Sequence, residues 1–265
     1  MIPPKPLTDI AKLNSLFQQL TPYVAMESEH SVFTERRFEA QVEEFEDNFF
    51  YSVARFFFLF SVGKVEEGTA LAEQVIDTNP SDVVTWGNYI LCAMYRVGIA
   101  RALELAERAA KCTNSPRFVR DCFYYARGLG DFGKFRFYLE RYAQMGQLDF
   151  ELSDEDNAML PLAVKQASLA SLSGRMDKIA EIGRIMNSML SPHRQIDAIA
   201  NFYVLDDGED EAYVFELTPP NTTSDECATK NIELIDHRVR AGLNDWSVVG
   251  IFTNEPGVEG VDACQ

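Results

Sequence analysis

The 265 residues predict a mainly helical protein that ends in a small α+β unit. Three observations carry this. Gly63, Gly98, Gly130 and Gly174 each close an apolar run and open a short turn into a second amphipathic run. Asn79-Pro80-Ser81 and Ser115-Pro116 put a proline beside a cap residue where one helix must stop and the next begin. Beyond residue 195 the apolar spacing becomes that of short strands. The expected division is therefore a helical repeat domain over 1–195 and a small acidic ββαβ module over 196–265, with a tail from about Glu255.

Thr8 is placed to cap a first helix, in which Ile10, Leu13, Leu16, Phe17 and Leu20 step by three and four; its end is expected near Thr21-Pro22. A second helix runs from about Thr34 through Phe38, Val42 and Phe45. It either continues into the aromatic segment Phe49 to Val62 or breaks at Asp47-Asn48. That segment is shorter than the roughly 20 apolar residues a membrane span needs, and Arg55 sits at its centre, so a buried inner helix is expected. Gly63-Lys-Val-Glu-Glu67, Gly130-Asp-Phe-Gly-Lys134 and Gly174-Arg-Met-Asp-Lys178 share one turn pattern, and Gly98-Ile-Ala-Arg101 shortens it. The glycines are 35, 32 and 44 residues apart, so the last step needs an insertion. Ser153 and the acids after it mark the start of a helix that reaches Leu172.

From about Phe49 to Leu190 these residues resemble the tetratricopeptide (TPR) superfamily. Asn79-Pro80 ends one unit, Trp86 opens the next pair, and Ala102, Ala106 and Ala109 sit where small residues let paired helices approach. Phe56 and Phe135 depart from the pattern at positions that are usually small. The resemblance implies a right-handed TPR-like stack of antiparallel helix pairs whose first helices line a concave groove. It puts Phe50, Val53, Phe57 and Phe60 in that groove from the first pair, Asn88 and Arg96 from the second, and Arg120, Tyr124 and Arg127 from the third. Arginine beside tyrosine and asparagine suits a carboxylate or an acidic peptide. The competing reading makes the phenylalanines core and pairs the arginines within the stack.

In the C-terminal part, Phe202 to Leu205 and Ala212 to Leu217 are β-prone runs around Asp206-Asp207-Gly208, a hairpin signal. A helix follows, on which Ala228, Ile232, Ile235, Val239 and Leu243 form one stripe expected to pack inward. Trp246 to Phe252 reads as a covered strand.

The formal charge of −17 disfavours nucleic acids and anionic membranes and makes a basic protein the natural partner. The charge is uneven: residues 206–265 hold 14 acids and three bases, whereas residues 96–141 hold ten bases and five acids. One consequence to consider is an intramolecular clasp between the two. Cys92, Cys112, Cys122, Cys227 and Cys264 show no CxxC spacing and are expected to be reduced thiols of a cytoplasmic protein. The start Met1-Ile-Pro-Pro-Lys-Pro6 has no signal-peptide pattern. His30, His193 and His237 pair with nothing at metal-ligand spacing, and no nucleotide loop or nucleophile elbow appears, so neither an enzyme nor a cofactor is expected. The acidic run Asp206, Asp207, Glu209, Asp210 and Glu211 fits no EF-hand and serves either as a solvated hairpin tip or as part of a partner-binding surface.

These features favour an acidic protein that binds and neutralises or chaperones a partner, with an immunity or antitoxin-type inhibitor of a basic toxin or nuclease first. A regulatory or secretion-linked scaffold holding a peptide in its groove comes second. A metal-dependent enzyme in the C-terminal module comes third.

Overall fold

The computed structural model describes residues 8–146, 154–206, 211–243 and 245–254, which form twelve helices and one three-stranded sheet. Helix α1 (Asp9–Val24) begins where the Thr8 hydroxyl accepts the Ala11 N–H at 3.3 Å. It runs past its expected end, through Pro22, with the Thr21 hydroxyl donating to the Phe17 carbonyl at 2.8 Å. Helices α2 (Val32–Val42) and α3 (Asn48–Ser61) are separate. The Asp47 carboxylate accepts the N–H groups of Phe49 and Phe50 at 2.8 and 3.3 Å and so starts a new helix at the break.

Seven helices follow in order: α4 (Val65–Thr78), α5 (Val83–Arg96), α6 (Ile99–Thr113), α7 (Pro116–Gly128), α8 (Phe132–Gln144), α9 (Asp154–Leu172) and α10 (Met176–Ser188). All four turn glycines adopt positive φ, between +66° and +124°. Helices α3 with α4, α5 with α6 and α7 with α8 pack as neighbours, and α4–α5, α6–α7 and α8–α9 join the pairs. Ala102, Ala106 and Ala109 are fully buried, and the Trp86 indole N–H donates to the Pro80 carbonyl at 2.9 Å. The aromatic segment is an inner helix, buried from Phe56 to Phe60. Among the described residues no helix is long and apolar enough to cross a membrane. Ser153, read as a helix cap, lies outside the described residues.

The short α11 (Pro192–Ile196) leads into β1 (Ile199–Asp206), β2 (Glu211–Thr218), α12 (Ser224–Arg240) and β3 (Val248–Phe252). The sheet order is β1-β2-β3. Strand β1 is antiparallel to β2 with Phe202 opposite Phe215, and β3 is parallel to β2 with Gly250 opposite Phe215. A parallel neighbour demands a crossover, which α12 supplies. That helix starts in a capping box: Thr223 Oγ1 accepts the Glu226 N–H at 3.2 Å, and the Glu226 carboxylate accepts the Thr223 N–H at 3.0 Å. At the sheet edge Asn231 of α12 binds both backbone groups of Phe252. Its Oδ1 accepts the N–H at 2.7 Å, and its Nδ2 donates to the carbonyl at 3.0 Å.

One continuous core runs from Leu13 to Phe252, because α10 packs on α8, α9, both strands β2 and β3, and α12. The sheet and the helices α10 and α11 before it lie against the turns of the preceding helices. Phe215 lies against Gly130, where a β-carbon would stand 2.9 Å from its ring. The Asn187 amide donates to the Gly128 carbonyl at 3.0 Å, and Gln195 accepts the Ile99 N–H at 3.0 Å. Close packing and neutral hydrogen bonds are joined here by ion pairs: Arg184 of α10 meets Asp131 at 2.8 Å within the helical part, and Arg175 and Lys178 reach across to Asp245.

Candidate functional site

The groove positions do not converge on one site. Phe57 and Phe60 are fully buried; Phe57 packs on Phe17 and Phe60 on Tyr89, so both are core. The Asn88 amide donates to Val84 within its own helix. Arg96 donates to the Tyr23 carbonyl at 2.5 Å and the Ser61 carbonyl at 2.8 Å, and so ties the C-terminal ends of α1 and α3 to α5. This is a cation placed where helix dipoles are negative. Arg120 lies 3.8 Å from the carboxylate of Asp121. Tyr124 and Arg127 do come together, lining a cleft of ≈ 10 Å³ with Phe123, Phe135, Met159, Leu160 and Ala163. That is room for about one water.

The basic middle of the chain spends much of its charge inside the stack. Arg108 grips Glu73 with two hydrogen bonds of 2.8 and 2.7 Å, and Arg101 adds a third at 3.1 Å. The Tyr89 hydroxyl donates to the same carboxylate at 3.0 Å. These contacts, led by Arg108, hold the Glu73 carboxyl below its ordinary value against the opposing effect of burial. Lys134 pairs with Glu107 at 2.7 Å, and Arg141 donates to the Ala110 carbonyl at 3.2 Å.

At the acidic hairpin, Asp206 and Glu211 face each other as the last pair of the β1–β2 ladder, and Glu211 accepts the Tyr213 hydroxyl at 2.9 Å. Asp207, Glu209 and Asp210 lie outside the described residues. Among the described residues no group of three His, Cys, Asp or Glu side chains could hold a metal ion. The thiols Cys92, Cys112, Cys122 and Cys227 are all free, and only Cys112 is exposed. Burial pushes the Cys122 thiol out of the normal thiol range.

The largest departure from expectation is on α12. Ile232, Ile235 and Val239, expected to pack inward, are 71, 51 and 55% exposed. The buried side is formed by Cys227, Leu234 and Arg238. The outward stripe has Ala228 at its N-terminal end and acids beside it: Asp225, Glu233 and Asp236 are all exposed, with Arg240 answering Asp236 across one turn. An apolar ridge with an acidic border is thus presented on a helix fixed by its capping box and by Asn231. Residue periodicity found the stripe but could not tell which side faces the sheet.

Comparison with family models, with curated proteins and with solved structures finds no match.

Proposed function

We propose that the chain is a protein-binding protein, not an enzyme, that docks on a partner with a basic surface through the outer face of α12. Its action is to neutralise or chaperone that partner, in the manner of an immunity or antitoxin-type inhibitor of a basic toxin or nuclease in the cytoplasm. The observation that carries the reading is the exposed Ile232–Ile235–Val239 ridge with Asp225, Glu233 and Asp236 beside it. Apolar side chains in the centre of an interface supply affinity, and surrounding charge sets partner choice and association rate. The chain's −17 charge extends the same field beyond the ridge. The helical part is read as a TPR-like right-handed stack acting as the rigid support, a reading favoured by the successive pairs and their positive-φ turn glycines.

The test compares wild type with an Ile232→Lys/Ile235→Lys variant as bait in the native host, followed by binding measurements with the recovered partner. The expected result is a partner with a basic surface that the variant loses, and whose affinity for wild type drops at least about tenfold between low and high salt. A partner retained by the variant, or bound equally well at both salt concentrations, would move the weight to a scaffold that holds a peptide in the helical stack.

A further inference from the structure

A cavity of ≈ 210 Å³ lies between α10, α12 and the segment that follows α12, lined by Lys178, Ile182, Arg238, Gly242, Leu243 and Asp245. Its charge is out of balance. Arg238 is 2% exposed, one of the largest buried side chains in the molecule, yet among the described residues it makes no ion pair. Its guanidinium donates to the main-chain carbonyl of Asp245 at 3.0 Å and lies 4.4 Å from the centre of the Trp246 ring. Its Nε is buried with no acceptor. The nearby carboxylate, Asp245, is already engaged: it accepts from Lys178, from Arg175 at 2.8 Å, and from the Ser247 N–H at 3.0 Å. Three cations therefore surround one carboxylate: Arg175 and Lys178 at the start of α10, and Arg238 of α12. Fully buried arginines are normally paired, because an unpaired charge in a poorly solvated site is costly.

The remaining walls are apolar. Ile182 and Leu243 face the cavity beside the Gly242 backbone. At ≈ 210 Å³ the space is below the roughly 300 Å³ of pockets that take drug-sized ligands, so its occupant is small. We propose that this cavity is a binding site for a small organic carboxylate. Lys178 and Arg238 hold the carboxylate by charge-assisted hydrogen bonds, and Ile182 and Leu243 take the apolar body. Trp246, 51% exposed, lies over the arginine at one side and reports occupancy. The site is distinct from the α12 ridge and does not depend on it.

The test is a titration of the full chain with benzoate, at ionic strength held constant with chloride, read by Trp246 fluorescence and by the thermal unfolding midpoint. Inorganic phosphate forms a second arm. Benzoate is expected to change the fluorescence saturably and to raise the midpoint, and the fluorescence change is expected to vanish in Trp246→Phe. Lys178→Gln and Arg238→Met are each expected to weaken binding about tenfold or more, the scale of one lost charge-assisted hydrogen bond. Lys178 is on the surface, so its variant keeps the comparison valid even where Arg238→Met fails to fold. A benzoate response equal to that of chloride, one unchanged in Lys178→Gln, or saturation by phosphate but not by benzoate overturns the proposal.

Discussion

Gly183 of α10 lies directly against the main-chain carbonyl of Leu129 at the end of α7. A β-carbon at position 183 would overlap the Leu129 oxygen and stand 2.7 Å from its carbonyl carbon. The obstacle is backbone, so no rotamer change relieves it. Gly183→Ala, mild on an exposed helix, is therefore expected to cost roughly 3 kcal/mol or more in urea unfolding by forcing α10 off the stack. A change below about 0.5 kcal/mol would show that the two elements do not touch in solution.

Adjacent residues on α12 should behave oppositely. Leu234 is 2% exposed and Ile235 faces outward, so Leu234→Ala is expected to lose about 2–5 kcal/mol. Ile235→Ala should stay within about 0.5 kcal/mol. Reversal of that order would mean that α12 is turned half around its axis and that no apolar ridge faces solvent.

Arg96 acts as a clamp between helix ends. Replacing it with Met removes two charge-assisted hydrogen bonds, to the carbonyls of Tyr23 and Ser61, and should cost about 2 kcal/mol. Amide exchange in α1 is expected to speed up first. Unchanged stability together with lost partner binding would instead return Arg96 to the groove.

Glu73 predicts an acid-side loss of stability. Its carboxyl is held below the ordinary 4.5, chiefly by Arg108 with help from Tyr89 and Arg101. A depressed carboxyl contributes stability that is complete above the unfolded-state value and disappears as pH falls through the lower folded-state value. Wild type should therefore lose stability below about pH 4.5 through a component that Glu73→Gln lacks. At neutral pH the variant should be weaker by about 1 kcal/mol, since the pair is partly exposed. Parallel stability curves for the two proteins from pH 3 to 7 would remove Glu73 from the account.

The residues differ in how openly they declared their roles. Gly63, Gly98, Gly130 and Gly174 were legible because a left-handed turn leaves few alternatives to glycine. The ββαβ order was legible because alternation, hairpin acids and a helical stripe follow each other locally. The side of α12 that faces inward was not, since it is decided by what α10 and β3 offer, and Arg238 carries a charge that pattern reading assigns to solvent. Phe57 and Phe60 have the right spacing for a groove and equally for a core; the packing of α1 onto α3 decides it. The cavity walls come from positions 178, 182, 238, 243 and 245, too far apart in the chain to form a motif.

Asn231 closes a route that small sheets leave open. An outermost strand such as β3 ordinarily offers its free amides and carbonyls to any extended peptide, but at Phe252 both are occupied by one side-chain amide. Lateral recruitment of a foreign strand is obstructed at that end of β3, by a side chain that belongs to the same helix as the exposed ridge.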